Sequence, residues 1–154
     1  MAGQVFPISA VPVTSGLVFP VILDLAHPEG LGFPASLSGD AIWRLFFRMP
    51  PTLPTGTGKL LIVGQANATS GVAKLNVKWK SWGANEVPLA SSLTAEGVAD
   101  LTFATTAYRL TELKVTLDAD TFVGGELVQV DLVGETSSWT LAQVLAMQAS
   151  IIFE

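Results

Sequence analysis

His27, a loop of carboxylates and four tryptophans are the chemistry-bearing features of this sequence, and their spacing is sparse. His27 stands in "AHPEG", two residues before Glu29. A general-base histidine needs a nucleophile on one side and an orienting acid on the other. No nucleophile motif adjoins this one, so the segment reads as a His-Pro turn; a metal site would need several copies of the chain to bring His27 together on an axis. "DADTFVGGE" sets Asp118, Asp120 and Glu126 along one inter-strand loop. Carboxylates two apart beside glycine resemble part of a calcium loop, but the EF-hand spacing is absent and the stretch reads as a solvated turn. Cysteine is absent, which removes thiolate nucleophiles, disulfides and Cys-ligated metals. Asn67-Ala68-Thr69 fits a glycosylation sequon and reads as a polar turn, since no basic start and compact apolar run open the chain. These residues assemble no catalytic set, metal site or cofactor site. The expectation is a non-enzyme with no cofactor.

The tryptophans divide by the strands that carry them. From residue 17 onward the dominant period is two, the mark of strands with one buried face. Trp43, Leu45, Phe47 and Met49 alternate with Ile42, Arg44, Phe46 and Arg48; Ala73, Leu75, Val77 and Trp79 alternate with Lys74, Asn76, Lys78 and Lys80. Trp43 and Trp79 therefore belong to the core. Trp82 and Trp139 fall at strand ends or loops and are candidate contact residues for protein or sugar. Lys74, Lys78 and Lys80 form a basic row read as a solvated or edge-protecting face. Leu113, Val115 and Leu117 continue the alternation, as do Val128, Val130 and Leu132. The run at 58–66 is apolar on both faces and reads as a central strand. Further strands are expected near 17–25, 97–103 and 144–153, the last after a short helical turn at 139–142. The expected fold is all-β: an eight-stranded antiparallel jelly-roll sandwich.

Eight of the nine prolines lie in the first 54 residues. Proline fixes φ and withholds an N–H, which disfavours helix and central strand. Residues 1–15 therefore read as an extended N-terminal arm, with 16–154 as one β-sandwich domain. The arm carries Val5, Phe6, Ile8, Val11 and Val13, too apolar for a solvated tail. Residues 1–23 lack ionisable side chains, but Pro7, Pro12 and Pro20 break any spanning helix of about 20 residues. No membrane partner is expected. A net charge of −5 with eight basic residues argues against nucleic acid. Only 14% of the residues are charged, against a usual share of about 25%. Mean hydropathy is +0.50. This apolar excess points to surface covered by partners.

Strand "AIWRLFFRMP", the bend "PTGTGKLLIVGQANATSG", then "VAKLNVKW", "LKVTL", "GGELVQVDLVGE" and the closing "VLAMQASIIFE" together resemble small jelly-roll virion proteins of tailed bacteriophages, of the capsid-decoration and head-fibre type. The resemblance covers roughly residues 41–154. It implies a structural role with no catalytic residues: a decoration protein cementing the assembled shell, bound as a homotrimer to the major capsid protein and located on the capsid surface. Contacts would come from Val5, Phe6, Ile8, Val11 and Val13 of the arm, and from Ile42 and Phe46 on the outward face of their strand. The alternative is a carbohydrate- or receptor-binding module of a tail fibre or spike, with Trp82 and Trp139 at its contact surface.

Overall fold

The computed structural model describes residues 3–12, 19–22, 29–33, 41–66, 72–88, 92–102, 109–134 and 144–154. Within these segments the strands form two antiparallel sheets packed face to face. In chain order they are β1 (Gln4–Val5), β2 (Pro7–Pro12), β3 (Phe19–Ile22), β4 (Glu29–Phe33), β5 (Ala41–Arg48), β6 (Gly58–Ala66), β7 (Val72–Trp82), β8 (Thr94–Thr102), β9 (Thr111–Thr116), β10 (Leu127–Gly134) and β11 (Val144–Phe153). One sheet runs β3-β4-β11-β6-β9, with β1 also paired to β11; the other runs β2-β5-β10-β7-β8. The all-β jelly-roll sandwich expected from periodicity is the fold observed. Among the described residues no helix is long and apolar enough to cross a membrane, which says nothing of strands.

The inward faces supply the core. Trp43, Leu45 and Phe47 of β5 meet Leu75, Val77 and Trp79 of β7 and Val128, Val130 and Leu132 of β10, all buried. Opposite them lie Leu60 and Ile62 of β6 and Ala149, Ile151 and Phe153 of β11. β6 lies between β11 and β9, the central position its two-sided apolar pattern implied.

Part of the stretch expected as an arm pairs with the sandwich itself. Gln4 and Val5 pair with Ile152 and Ile151 of β11, and Pro7–Pro12 pairs with β5. Residues 4–12 thus pass from one sheet to the other. An edge strand needs ladder hydrogen bonds on one side only, so its prolines are tolerated. Val5 packs against the chain's own core, and the Gln4 side chain donates to Ser150 Oγ at 3.0 Å. With β4 also unforeseen, the described residues hold eleven strands where eight were expected.

Two turns close the end of the β2–β8 sheet that concerns function. After β5 the prolines end the ladder, and the chain is clipped to the turn before β10: Gly125 N–H donates to Pro50 O at 3.1 Å and Met49 N–H to Glu126 O at 2.9 Å. Gly125 has φ 79°, a left-handed conformation that glycine adopts without strain. A Cβ on neighbouring Gly124 would overlap the Pro51 carbonyl oxygen, which is backbone and cannot swing aside. Gly124→Ala is therefore expected to destabilise the fold by about 1–3 kcal/mol, as forced overpacking does, measured by urea denaturation.

Candidate ligand cavity

The register of β5, β10 and β7 lines up outward-facing residues in rows across the second sheet. Leu127 pairs with Arg48 on one side and Trp82 on the other. The next rows are Phe46–Gln129–Lys80, Arg44–Asp131–Lys78 and Ile42–Val133–Asn76. The first row borders a cavity of about 300 Å³ whose walls include Arg48, Trp82, Gly83, Glu86, Glu126 and Leu127. That volume lies at the lower end of small-ligand pockets.

Each carboxylate of the cavity is held by the chain. In the 83–86 turn, Glu86 N–H donates to Gly83 O at 3.3 Å, while Gly83 N–H donates to Glu86 Oε2 at 2.6 Å. Asn85 adopts φ 74° within this turn. Glu126 follows the glycine turn, where its N–H reaches Val123 O at 3.2 Å. Its Oε2 accepts from the hydroxyl of buried Ser81 at 2.7 Å. Ser81 N–H in turn donates to Asp120 Oδ2 at 3.0 Å, and Asp120 Oδ1 accepts from Thr121 N–H at 2.9 Å. The acidic loop therefore braces the end of β7. Asp118 is exposed. Among the described residues no three His, Cys, Asp or Glu side chains are placed to hold a metal ion.

Trp82, expected as an exposed contact residue, is only 6% exposed. It lies on the outward face, in line with Lys78 and Lys80, and the Lys80 ammonium stands 4.7 Å from its ring centroid. Its indole N–H is buried with no acceptor. Trp82 is thus a wall of the cavity, not a flat platform. β7 is flanked by β10 and β8, so its lysine row does not protect an edge.

The other candidates separate. Ile42 and Phe46 are half-buried on the outward face of β5. Phe6, just before edge strand β2, is 56% exposed and Ile8, within it, 66%. Val11 pairs with Arg44 through β2. Val13, His27, the 67–69 sequon and Trp139 lie outside the described residues. Arg48, Gly83, Glu86 and the cavity role of Glu126 were not foreseen. The one local signal was "WGANE", whose glycine and asparagine mark a turn.

A second polar cluster lies on the first sheet. Glu154 Oε1 accepts from Lys114 Nζ at 2.5 Å and Oε2 from Lys59 Nζ at 3.1 Å. These bonds, Lys114 first, lower the Glu154 pKa below its ordinary 4.5, and the Glu154 bond raises that of Lys114 above 10.5. A depressed carboxylate gives stability that is present above its unfolded value and lost as pH falls through the folded one. Thermal melts from pH 7 to 3 are expected to show a small acid loss that Glu154→Gln removes. The effect should fade in high salt, because the cluster is exposed.

No family model matches the sequence, and no curated protein does. Solved structures do resemble it. A family 35 carbohydrate-binding module from Clostridium thermocellum superposes with TM-score 0.58 at 9% identity, covering 100% of this chain and 98% of that one. The K1 cleaved adhesin domain of Lys-gingipain from Porphyromonas gingivalis gives TM-score 0.55 at 16% identity, covering 98% and 97%. An Arthrobacter globiformis isomalto-dextranase complexed with panose gives 0.61 at 14% identity over 98% of this chain, which spans 23% of that enzyme. At such identities the likeness is one of fold, and it puts the chain in the jelly-roll β-sandwich class.

Proposed function

We propose that this chain is a non-catalytic carbohydrate-recognition module whose ligand enters the cavity at the end of the β2–β8 sheet. The observation that carries the reading is the convergence of Arg48, Trp82, Glu86 and Glu126 on one small cavity. Sugars present hydroxyls to fixed polar groups and C–H faces to apolar walls, and this lining offers both. The fold supports it too, because a family 35 carbohydrate-binding module has the same sandwich over its whole length. Calorimetry against a panel of mono- and oligosaccharides tests the proposal. Binding is expected with at least one sugar class, and Arg48→Ala should weaken it about tenfold or more, the worth of a hydrogen bond from a charged donor. Absence of binding across the panel overturns the reading. Sugar release by the wild type and not by Glu86→Gln would overturn its non-catalytic part, since paired carboxylates also serve glycoside hydrolysis.

Exposed Phe6 and Ile8 favour a second reading, the shell-bound trimer. Light scattering near three times 16.2 kDa would support it, and a mass near 16.2 kDa at micromolar concentration would count against it.

A further inference from the structure

The carboxylates of the cavity converge on one glycine. A Cβ built on Gly83 would lie 3.0 Å from Glu126 Oε1 and 3.5 Å from Glu86 Oε2. Each carboxylate already has one oxygen engaged by the chain: Oε2 of Glu86 by Gly83 N–H, and Oε2 of Glu126 by Ser81 Oγ. The remaining oxygens, Oε1 of each, have no partner from the chain among the described residues. Ionised carboxylates only accept hydrogen bonds. The Trp82 indole N–H, nine-tenths buried in the cavity wall, is likewise unpartnered. Arg48 is the one cation of the lining, against two anions. Just outside it, Lys80 over the Trp82 ring and Asp120 on Ser81 N–H offset each other in charge.

Resting on the carbohydrate reading, we infer that the cavity selects neutral or amino sugars that donate from two adjacent positions, a vicinal diol or amino-alcohol, to Glu86 Oε1 and Glu126 Oε1 above the bare Cα of Gly83, and that it rejects uronic and sulfated sugars. Donor hydroxyls satisfy both free oxygens and need no proton taken up. A ligand carboxylate or sulfate would face two fixed anions with one arginine to offset them. Gly83 sets the selection because any side chain there occupies the space between the carboxylates.

Gly83→Ala isolates the claim from folding. Gly83 is not among the positive-φ glycines, and the new methyl meets the side-chain ends of two glutamates, not backbone. Its melting temperature should match the wild type. Calorimetry of wild type, Gly83→Ala and Glu86→Gln would use neutral, amino, uronic and sulfated monosaccharides and their short oligomers. The expected result is wild-type binding of neutral or amino sugars only, a tenfold or greater loss in Gly83→Ala, and weaker discrimination against uronates in Glu86→Gln. Preferential binding of uronic or sulfated sugars overturns the selection and leaves the carbohydrate reading standing. Neutral-sugar affinity unchanged in Gly83→Ala overturns the role of Gly83 and with it this inference. Failure of all sugars to bind overturns both.

Discussion

Trp79→Ala is expected to cost about 3–5 kcal/mol, a large share of a domain's whole stability. Trp79 is fully buried on β7, in register with Val130 and, through it, with Leu45. Its ring stacks on Phe122 at 4.4 Å between centroids, and Phe122 meets Phe153 edge-on at 5.5 Å. One side chain thus joins β7 of one sheet to β11 of the other through a three-ring column. Its indole N–H donates to Glu96 Oε1, which also accepts from Ala119 N–H at 2.7 Å. Glu96 belongs to edge strand β8 and Ala119 follows edge strand β9, so the same carboxylate fastens the open side of the sandwich. Truncation to alanine removes the ring, leaves a cavity between the sheets and takes one donor from Glu96. Trp79→Phe keeps most of the packing and loses the N–H, so it should cost less, about 1–3 kcal/mol. Urea denaturation of both variants measures the difference. An alanine loss below about 2 kcal/mol would mean that the column collapses around the gap and is not a fixed strut.

The core of this fold was readable because strands advertise their buried face every second residue. Trp43, Leu45 and Phe47 announce β5, and Leu75, Val77 and Trp79 announce β7. β1, β2 and β4 escaped that reading. Pro7 and Pro12 bound β2, and Gly30 and Gly32 interrupt β4, so neither shows an apolar alternation. β2 can pair because an edge tolerates missing donors, whereas β4 is held on both sides, by β3 and β11. The cavity was less legible still. Arg48, Gly83 and Glu126 come from three separate stretches, and only the register that aligns Arg48, Leu127 and Trp82 brings them to one end of the sheet. Trp82 misled for a related reason: its parity puts it on the lysine face, which periodicity equates with solvent. The strand-and-bend pattern that resembles phage virion proteins consists of strand alternation and turn residues, which report on fold. It therefore carries the fold further than the partner.

Asp131→Ala is the second change expected to have a large effect, and it tests the outward face of the same sheet. Asp131 sits mid-strand in β10, 3% exposed, between Arg44 of β5 and Lys78 of β7. Arg44 grips it with two bonds, Nε to Oδ1 at 2.8 Å and Nη2 to Oδ2 at 2.7 Å. Gln129 Nε2 also donates to Oδ1, at 3.2 Å. The bond to Asp131 raises the Arg44 pKa above its ordinary value, and an arginine keeps its charge in a protein in any case. Removing the carboxylate leaves that charge unpaired, with its side chain only 20% exposed, and leaves Lys78 as a like-charged neighbour across the row. Losing one partner of a buried pair costs about 3–5 kcal/mol. The lower end is expected here because Arg44 keeps some contact with water. Replacing both partners by apolar residues, Arg44→Met with Asp131→Leu, should recover most of the loss, since a well-packed apolar pair often matches a buried ion pair. Denaturation midpoints at constant m-value measure all three proteins. A loss below about 1 kcal/mol in Asp131→Ala would class the pair with solvated surface bridges. If the double variant is as unstable as Asp131→Ala, the stranded arginine is not the cause, and the lost hydrogen bond to Gln129 becomes the better explanation.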